Sequence, residues 1–480
     1  MAYSFFSQRL ILDHKYSKSR FETLVIYLDE LASLDYLVRP FPSIVESFAQ
    51  KKSASLLKIE PRYFGESFPF DILSTENMAY NTVEQMVEDI ATIIHYVKEN
   101  FSNDKVILIG NGFGASLACW IRLKYPQLCD AVWASRAILR VDRYDEDADK
   151  AIYKKMQSID DCNSATDTLM RRLEATMTHG DNESKQNIIE LFEFDNNIDS
   201  NSVLYELAEV FVLMAKTQSH NGAKLLTEHC LQQSKNPSIE QFAKLFKKTL
   251  DYFHFTTDSF DPRIGISQNT LFKNERSMLY LRCNQIGNFH VYNKRYYLRS
   301  RSINMKYFDQ LCNEAFNFDK VADNNSFNIR YGNLEKGASS IFFSYSQNDI
   351  EYNLININNN TNMSIYVNVI KQESYGDELF NQDDKELRTI QENAFDLLNK
   401  WTDFSNKKTC SEHGIVVLDK CKCDDGYSGE FCQNFLVSPR IFKAFVSLTS
   451  FIPTFLFLFF IILGWVKLIV FSKVNRPIVF

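Results

Sequence analysis

Val106-Ile-Leu-Ile-Gly-Asn-Gly-Phe-Gly-Ala-Ser-Leu-Ala-Cys-Trp120 is the stretch around which this chain is organised. Four branched apolar residues predict a buried strand. Gly110, Gly112 and Gly114 at alternate positions then predict a turn too tight for side chains. An apolar-periodic run to Tyr125, ended by Pro126, predicts a helix. Strand, Gly-x-X-x-Gly turn and helix together describe a nucleophile elbow, whose middle residue is normally serine. Here that position is Gly112.

Working outward, Glu22–Leu28, Ser53–Glu60 and Asp130–Ser135 predict further strands, and Thr82–Asn100 has helical apolar spacing. Strands alternating with helices imply a parallel sheet covered on both faces. From about 141 to 325 the chain is long, charged and mostly helical in pattern, which predicts an inserted helical domain. The strand signal returns at Ser340–Ser344 and Ser364–Ile370, and an amphipathic helix follows over Glu386–Trp401. The expected fold class is α/β.

The chain has 480 residues and ordinary globular proportions, 45% hydrophobic and 24% charged. Its net charge of −7 argues against a nucleic-acid surface, which needs a basic patch. Of the 10 cysteines, Cys410, Cys421, Cys423 and Cys432 crowd together. Their C-x-C-x8-C spacing with Gly426 and Gly429 resembles the second half of an EGF-like module. Family order would pair Cys410 with Cys421 and Cys423 with Cys432, although four cysteines allow three connectivities. A zinc site fits the glycine-rich spacing less well, so no metal and no cofactor is expected.

Sequons stand at Asn182, Asn324, Asn359 and Asn362. With the clustered cysteines they favour an oxidising, secretory compartment. No apolar segment of signal-peptide length opens the chain, and a missing or truncated start is the favoured explanation. Ala444–Val466 is 23 residues without charge. It spans about 35 Å at ~1.5 Å per residue, enough for a bilayer core of ~30 Å. The expectation is one transmembrane helix with the N-terminal bulk extracytoplasmic, at the cell surface or a lysosomal or endosomal membrane.

Several segments resemble one family, that of the lysosomal Pro-X carboxypeptidase, dipeptidyl peptidase II and thymus-specific serine protease. Glu60-Pro-Arg-Tyr-Phe-Gly-Glu-Ser-Phe-Pro-Phe70 is similar to the family's E-H-R-[FY]-[FY]-G-[EK]-S-x-P-F, and Ile109–Pro126 to its I-G-G-S-Y-G-G-x-L-A-x-W-x-R-x-K-Y-P. Segments Arg276–Cys283 and Tyr307–Phe316, and the opening Phe5–Asp13, look like further parts of it. The resemblance implies an α/β-hydrolase core over 1–140 and 326–405, with a helical cap over 141–325. The EGF-like module (406–434), a linker (435–443), the membrane helix (444–466) and a cytoplasmic tail (467–480) complete the expected organisation. It also implies disulfides Cys283–Cys312 and Cys162–Cys230.

Departures from the family fall on the chemistry. The nucleophile position is Gly112. The acid segment S-N-G-x-x-D-P-W aligns with Ser344–Glu351 and keeps Asp349. The base segment G-[AS]-H-x-x-D-L aligns with Glu373–Leu379, which puts Tyr375 at the histidine. A glycine-rich G-G-E-G loop appears as Tyr27-Leu-Asp-Glu-Leu31. Gly112 offers no heteroatom, and a tyrosine of ordinary pKa near ~10 is a poor base. Ser116, one turn into the helix, and Ser67 are weak substitutes as nucleophile.

Gly110-Asn-Gly-Phe-Gly-Ala115 also fits a dinucleotide fingerprint, but that pattern needs an acidic residue closing the next strand, and Asp130 opens it. The expected function is therefore ligand or partner binding by a catalytically inactive peptidase homologue, with a peptide or protein at the former substrate cleft. The alternatives are a working prolyl exopeptidase with a displaced triad, and adhesion through the EGF-like stalk. A homodimer is left open.

Overall fold

The structure is a computed structural model. It describes residues 6–17, 23–31, 33–34, 41–101, 105–217, 224–253, 255, 257, 272–334, 338–347, 360, 364–371, 377–380, 384–404, 414–417, 420–423, 427–429, 432–435 and 478–479.

The main sheet is built from β1 (Arg9–Asp13), β2 (Thr23–Leu28), β3 (Ser55–Ile59), β4 (Lys105–Asn111), β5 (Ala131–Ser135), β8 (Ile341–Ser346), β9 (Ile365–Ile370) and β14 (Ile478–Val479), in the order β14-β1-β3-β2-β4-β5-β8-β9. From β3 to β9 all neighbours are parallel, and β1 is antiparallel to β3. Burial on both faces explains the unbroken apolar run of β4. Val106 and Leu108 join one core with α2 (Val83–Phe101) and α3 (Phe113–Lys124), while Ile107 and Ile109 join the other with α1 (Ser43–Lys52) and the helix Lys385–Phe404. Leu24 and Ile26 of β2 alternate with Val25 and Tyr27 in the same way.

Chain order reverses around β2, with β3 on one side and β4 on the other. The carboxyl ends of the strands at such a switch point form the usual crevice of an open α/β sheet. The elbow lies at that end.

Between β5 and β8 the insert divides by packing. Helices α4 (Ala148–Met156), α5 (Cys162–His179), α6 (Asn182–Leu191), α7 (Ser200–Lys216), α8 (Leu225–Gln233) and α9 (Ile239–Tyr252) surround a core of their own, closed by the disulfide Cys162–Cys230. The later helices Lys273–Leu281, Met305–Phe316 and Asn325–Tyr331 pack instead on the main core, through Tyr280, Phe308, Phe316 and Tyr331. Disulfide Cys283–Cys312 ties the turn that follows the first of these, Arg282–Ile286, to the second. The outgoing β6 (Tyr144–Asp145) and returning β7 (Phe289–His290) run side by side as a neck. Gly287, at φ +57°, permits this, since a β-carbon there would lie 2.6 Å from the Asp142 carbonyl oxygen.

In the EGF-like segment, β10 (Gly414–Val417) pairs with β11 (Lys420–Cys423), and β12 (Tyr427–Ser428) with β13 (Asn434–Phe435). Cys423 is bonded to Cys432, and Cys421 is also disulfide-bonded. Cys410 lies outside the described residues.

The apolar segment 444–466 lies outside them as well, and among the described residues no helix is long and apolar enough to cross a membrane. Ile478–Val479 pair antiparallel with Leu10 and Arg9 of β1. That pairing and a tail across a bilayer exclude each other, because the sheet edge belongs to the core.

Candidate functional site: a remodelled elbow

β4 ends at Asn111 and α3 starts at Phe113, so residue 112 alone makes the turn. Gly112 has φ +55° and ψ −121°, a conformation that L side chains rarely adopt, and its N–H donates to Ser135 O at 2.9 Å. Gly114 is needed for a different reason. A β-carbon there would lie 2.2 Å from Leu28 O and 2.4 Å from Asp29 O, so the loop after β2 presses its backbone onto the first turn of α3. Ser116 is no substitute nucleophile. It is buried, and its hydroxyl donates to Gly112 O at 3.3 Å while accepting from Ile138 N at 2.9 Å.

The space beside Gly112 is filled by Glu30. A β-carbon on residue 112 would stand 2.2 Å from Glu30 Oε1. The same oxygen pairs with Arg136 Nη1 at 3.3 Å. Arg136 follows β5 directly, with φ +60°, and its side chain is 2% exposed against 43% for Glu30. Asp29 fixes the loop: its Oδ1 accepts from Tyr27 OH at 3.1 Å and Glu30 N at 3.0 Å, and its Oδ2 from Lys58 Nζ at 2.8 Å. Burial pulls the Lys58 amine below its ordinary pKa and Asp29 draws it partly back; burial, then Asp29, pushes the Tyr27 phenol well up.

Across the strand ends, the carboxylate of Glu378 is fully buried. Its Oε1 accepts from Ser135 Oγ at 2.6 Å and Ser344 Oγ at 2.7 Å, and Ser344 Oγ in turn accepts from Trp133 Nε1 at 2.9 Å. Asp349 and Tyr375 lie outside the described residues. Glu378 went unread in the sequence although it stands at the acidic position of the aligned base segment. That alignment was the available signal.

Residues 2–394 match the family Serine carboxypeptidase S28, and residues 407–434 match the Teneurin-like EGF domain. The chain belongs to the serine carboxypeptidase S28 family. It is 24% identical over 321 residues to a protein described as probable serine protease EDA2 from Arabidopsis thaliana, covering 64% of this chain and 63% of that one. It is 30% identical over 138 residues to the lysosomal Pro-X carboxypeptidase of Bos taurus, 28% of each chain. The matched stretch thus spans less than two thirds of each relative. Among solved structures, proline iminopeptidase from Mycobacterium smegmatis aligns over 82% of this chain and 94% of that one, with TM-score 0.37 and 9% identity.

The S28 segment Glu60–Phe70 proves architectural. Glu60 is fully buried and accepts from Leu34 N at 2.9 Å, Glu66 N at 3.0 Å and Ser67 Oγ at 2.6 Å. Ser67 Oγ also accepts from Arg9 N at 2.9 Å, so it is a turn residue and carries no chemistry. Arg62 grips Asp89 of α2 with both Nε and Nη2, at 2.6 and 2.5 Å. Among the described residues no group of three or more metal ligands occurs.

Of the sequons, Asn182 is exposed at the start of α6. Asn324 is a correction. It is 5% exposed and its Nδ2, the atom a glycan would take, donates to Gln285 O, so the folded chain closes that site. Asn359 and Asn362 lie outside the described residues.

Chemically, the elbow offers no hydroxyl, thiol or imidazole at residue 112. Losing the nucleophile of a serine triad costs about 10⁶ in kcat, roughly 8 kcal/mol of barrier. What remains is an arginine, two carboxylates and a helix N-terminus without a side-chain cap, at the carboxyl ends of the central strands.

Proposed function

We propose that this S28 member is a non-hydrolysing peptidase homologue that works by binding a peptide or protein ligand in the cleft its relatives use for substrate. One observation carries the reading: Gly112 stands at the elbow, with Glu30 in the space a serine side chain would need. Two separate changes at the triad positions, Gly112 and Tyr375, support it further.

The test is a fluorophosphonate probe and a Pro-X peptide assay on the purified protein. No labelling and no turnover are expected. Clear labelling, or turnover that a serine-directed inhibitor stops, would leave the working exopeptidase as the reading.

We further propose that the chain is carried on a membrane of the secretory pathway, with the EGF-like segment as a stalk between the hydrolase fold and residues 444–466. The disulfides and the apolar run support this.

A further inference from the structure

Just after β7 the chain turns basic. Residues 292–301 read Tyr-Asn-Lys-Arg-Tyr-Tyr-Leu-Arg-Ser-Arg, without an acidic residue, in a chain of net charge −7. Asn293 and Tyr296 bridge antiparallel, and Tyr296 N donates to Asn293 O at 3.0 Å. Lys294 and Arg295 are therefore the exposed tip of a tight hairpin. The hairpin is anchored to the insert from below. Arg299 is buried and bound to Asp149 of α4 at 2.9 Å and Glu209 of α7 at 2.5 Å, and Tyr297 N donates to Tyr153 OH at 3.0 Å.

Tyr292 and Tyr297 flank the turn, and two more exposed cations gather on them. The Arg171 guanidinium of α5 lies over the Tyr297 ring, 3.3 Å from its centroid. Arg301 Nη2 donates to the Tyr297 hydroxyl at 3.3 Å, and the Arg301 side chain also hydrogen-bonds Tyr292. Stacking on a ring face orients a guanidinium and leaves its N–H edges for another partner. Among the described residues Arg171, Lys294, Arg295 and Arg301 make no ion pair. The carboxylates on the helix of Arg171 are engaged otherwise. Glu174 Oε1 accepts from Ser300 Oγ at 2.7 Å and Arg301 N at 3.4 Å, and Asp167 accepts from Tyr153 OH. Four like charges on one hairpin and its neighbouring helix turn repel one another, and an anion from outside relieves them.

We propose that this hairpin and the Arg171 turn of α5 form a docking surface for a sulfated polysaccharide. Guanidinium forks grip sulfate oxygens through paired, charge-assisted hydrogen bonds. The remainder of the chain carries a net negative charge and repels a polyanion, which confines the ligand to this patch. Disulfides Cys162–Cys230 and Cys283–Cys312 of the same insert favour an oxidising compartment, where sulfated glycans and not nucleic acids are the polyanions met. The choice of occupant thus rests on the secretory reading above, whereas the basic surface stands on its own geometry.

The experiment titrates the full chain with a heparin octasaccharide and with its desulfated counterpart, by calorimetry at about 50 and about 200 mM salt. The sulfated chain is expected to bind, more weakly at the higher salt, and the desulfated one not to bind. Arg295→Gln with Arg301→Gln, both at exposed positions, should weaken binding about tenfold or more. Lys247→Gln, which removes an exposed cation on α9, should leave it unchanged. No binding of heparin, equal binding of the desulfated chain, or full binding by the double variant would overturn the proposal. So would tighter binding of phosphatidylserine vesicles or of an oligoglutamate peptide. A cytosolic location of the protein would defeat the secretory reading while leaving the titration as expected, so the two failures are distinct.

Discussion

Glu30 Oε1 stands 2.2 Å from the point where a β-carbon on Gly112 would sit. Residue 112 therefore cannot regain a side chain unless Glu30 moves. The obstacle is the far end of a half-exposed side chain, so displacement is cheap, whereas the φ of +55° is a fixed cost of about 1–3 kcal/mol for any residue but glycine.

Gly112→Ser should consequently fold, lose about 1–3 kcal/mol in urea denaturation, and stay inactive. Gly112→Ser with Glu30→Ala should recover only the small steric part and also remain inactive, because the base position is Tyr375. Peptidase activity in either variant would show that a base exists elsewhere.

Glu60→Gln tests whether the S28 segment is structural. Glu60 accepts three hydrogen bonds and faces Arg9 at 3.6 Å, all in a fully buried site. A carboxamide presents an N–H₂ to donors and removes the negative charge that faces Arg9. A loss of about 3–5 kcal/mol is expected in chemical denaturation. A loss below about 1 kcal/mol would remove the architectural role assigned to the motif.

His229 makes the cap acid-sensitive. It is fully buried between Phe211 and Phe242, its Nε2 lies 2.9 Å from Thr166 Oγ1, and among the described residues Nδ1 has no hydrogen-bond partner. Burial lowers its pKa to about 3. The folded value lies below the unfolded one, so the neutral form is favoured by folding, and stability falls as pH drops from about 6.5 towards 3. At pH 4.5 this amounts to about 3 kcal/mol. Melting curves at pH 7 and 4.5 should show a pH-dependent loss that His229→Gln reduces. An identical pH profile in the variant would refute the assignment.

Membrane topology follows from a comparison of magnitudes. Burying Ala444–Val466 gains roughly 0.3–0.6 kcal/mol for each Phe, Leu and Ile at the bilayer centre, several kcal/mol in sum. The two-residue pairing of β14 with β1 offers only a few hydrogen bonds of about 1 kcal/mol. In membranes the segment should therefore cross, and a cysteine placed at Ser472 should react with an impermeant maleimide only from the side opposite the core. Labelling from the same side as the core would favour the β14 arrangement and an unspanned bilayer.

The sequence alone determined what is local. Glycine spacing at 110, 112 and 114 defined a turn that only glycine enters freely, and unbroken branched runs in β2 and β4 defined strands buried on both faces. It also established that residue 112 has no heteroatom, since that needs no neighbours. Tertiary structure decided what took the vacated space. Glu30 follows β2 and Arg136 follows β5, and they meet at Gly112 because β2, β4 and β5 are neighbours in the sheet. The same dependence on packing hid the burial of Glu378 and closed the Asn324 sequon against Gln285. Periodicity and backbone preference act over a few residues, whereas the occupant of a site is set by strand order.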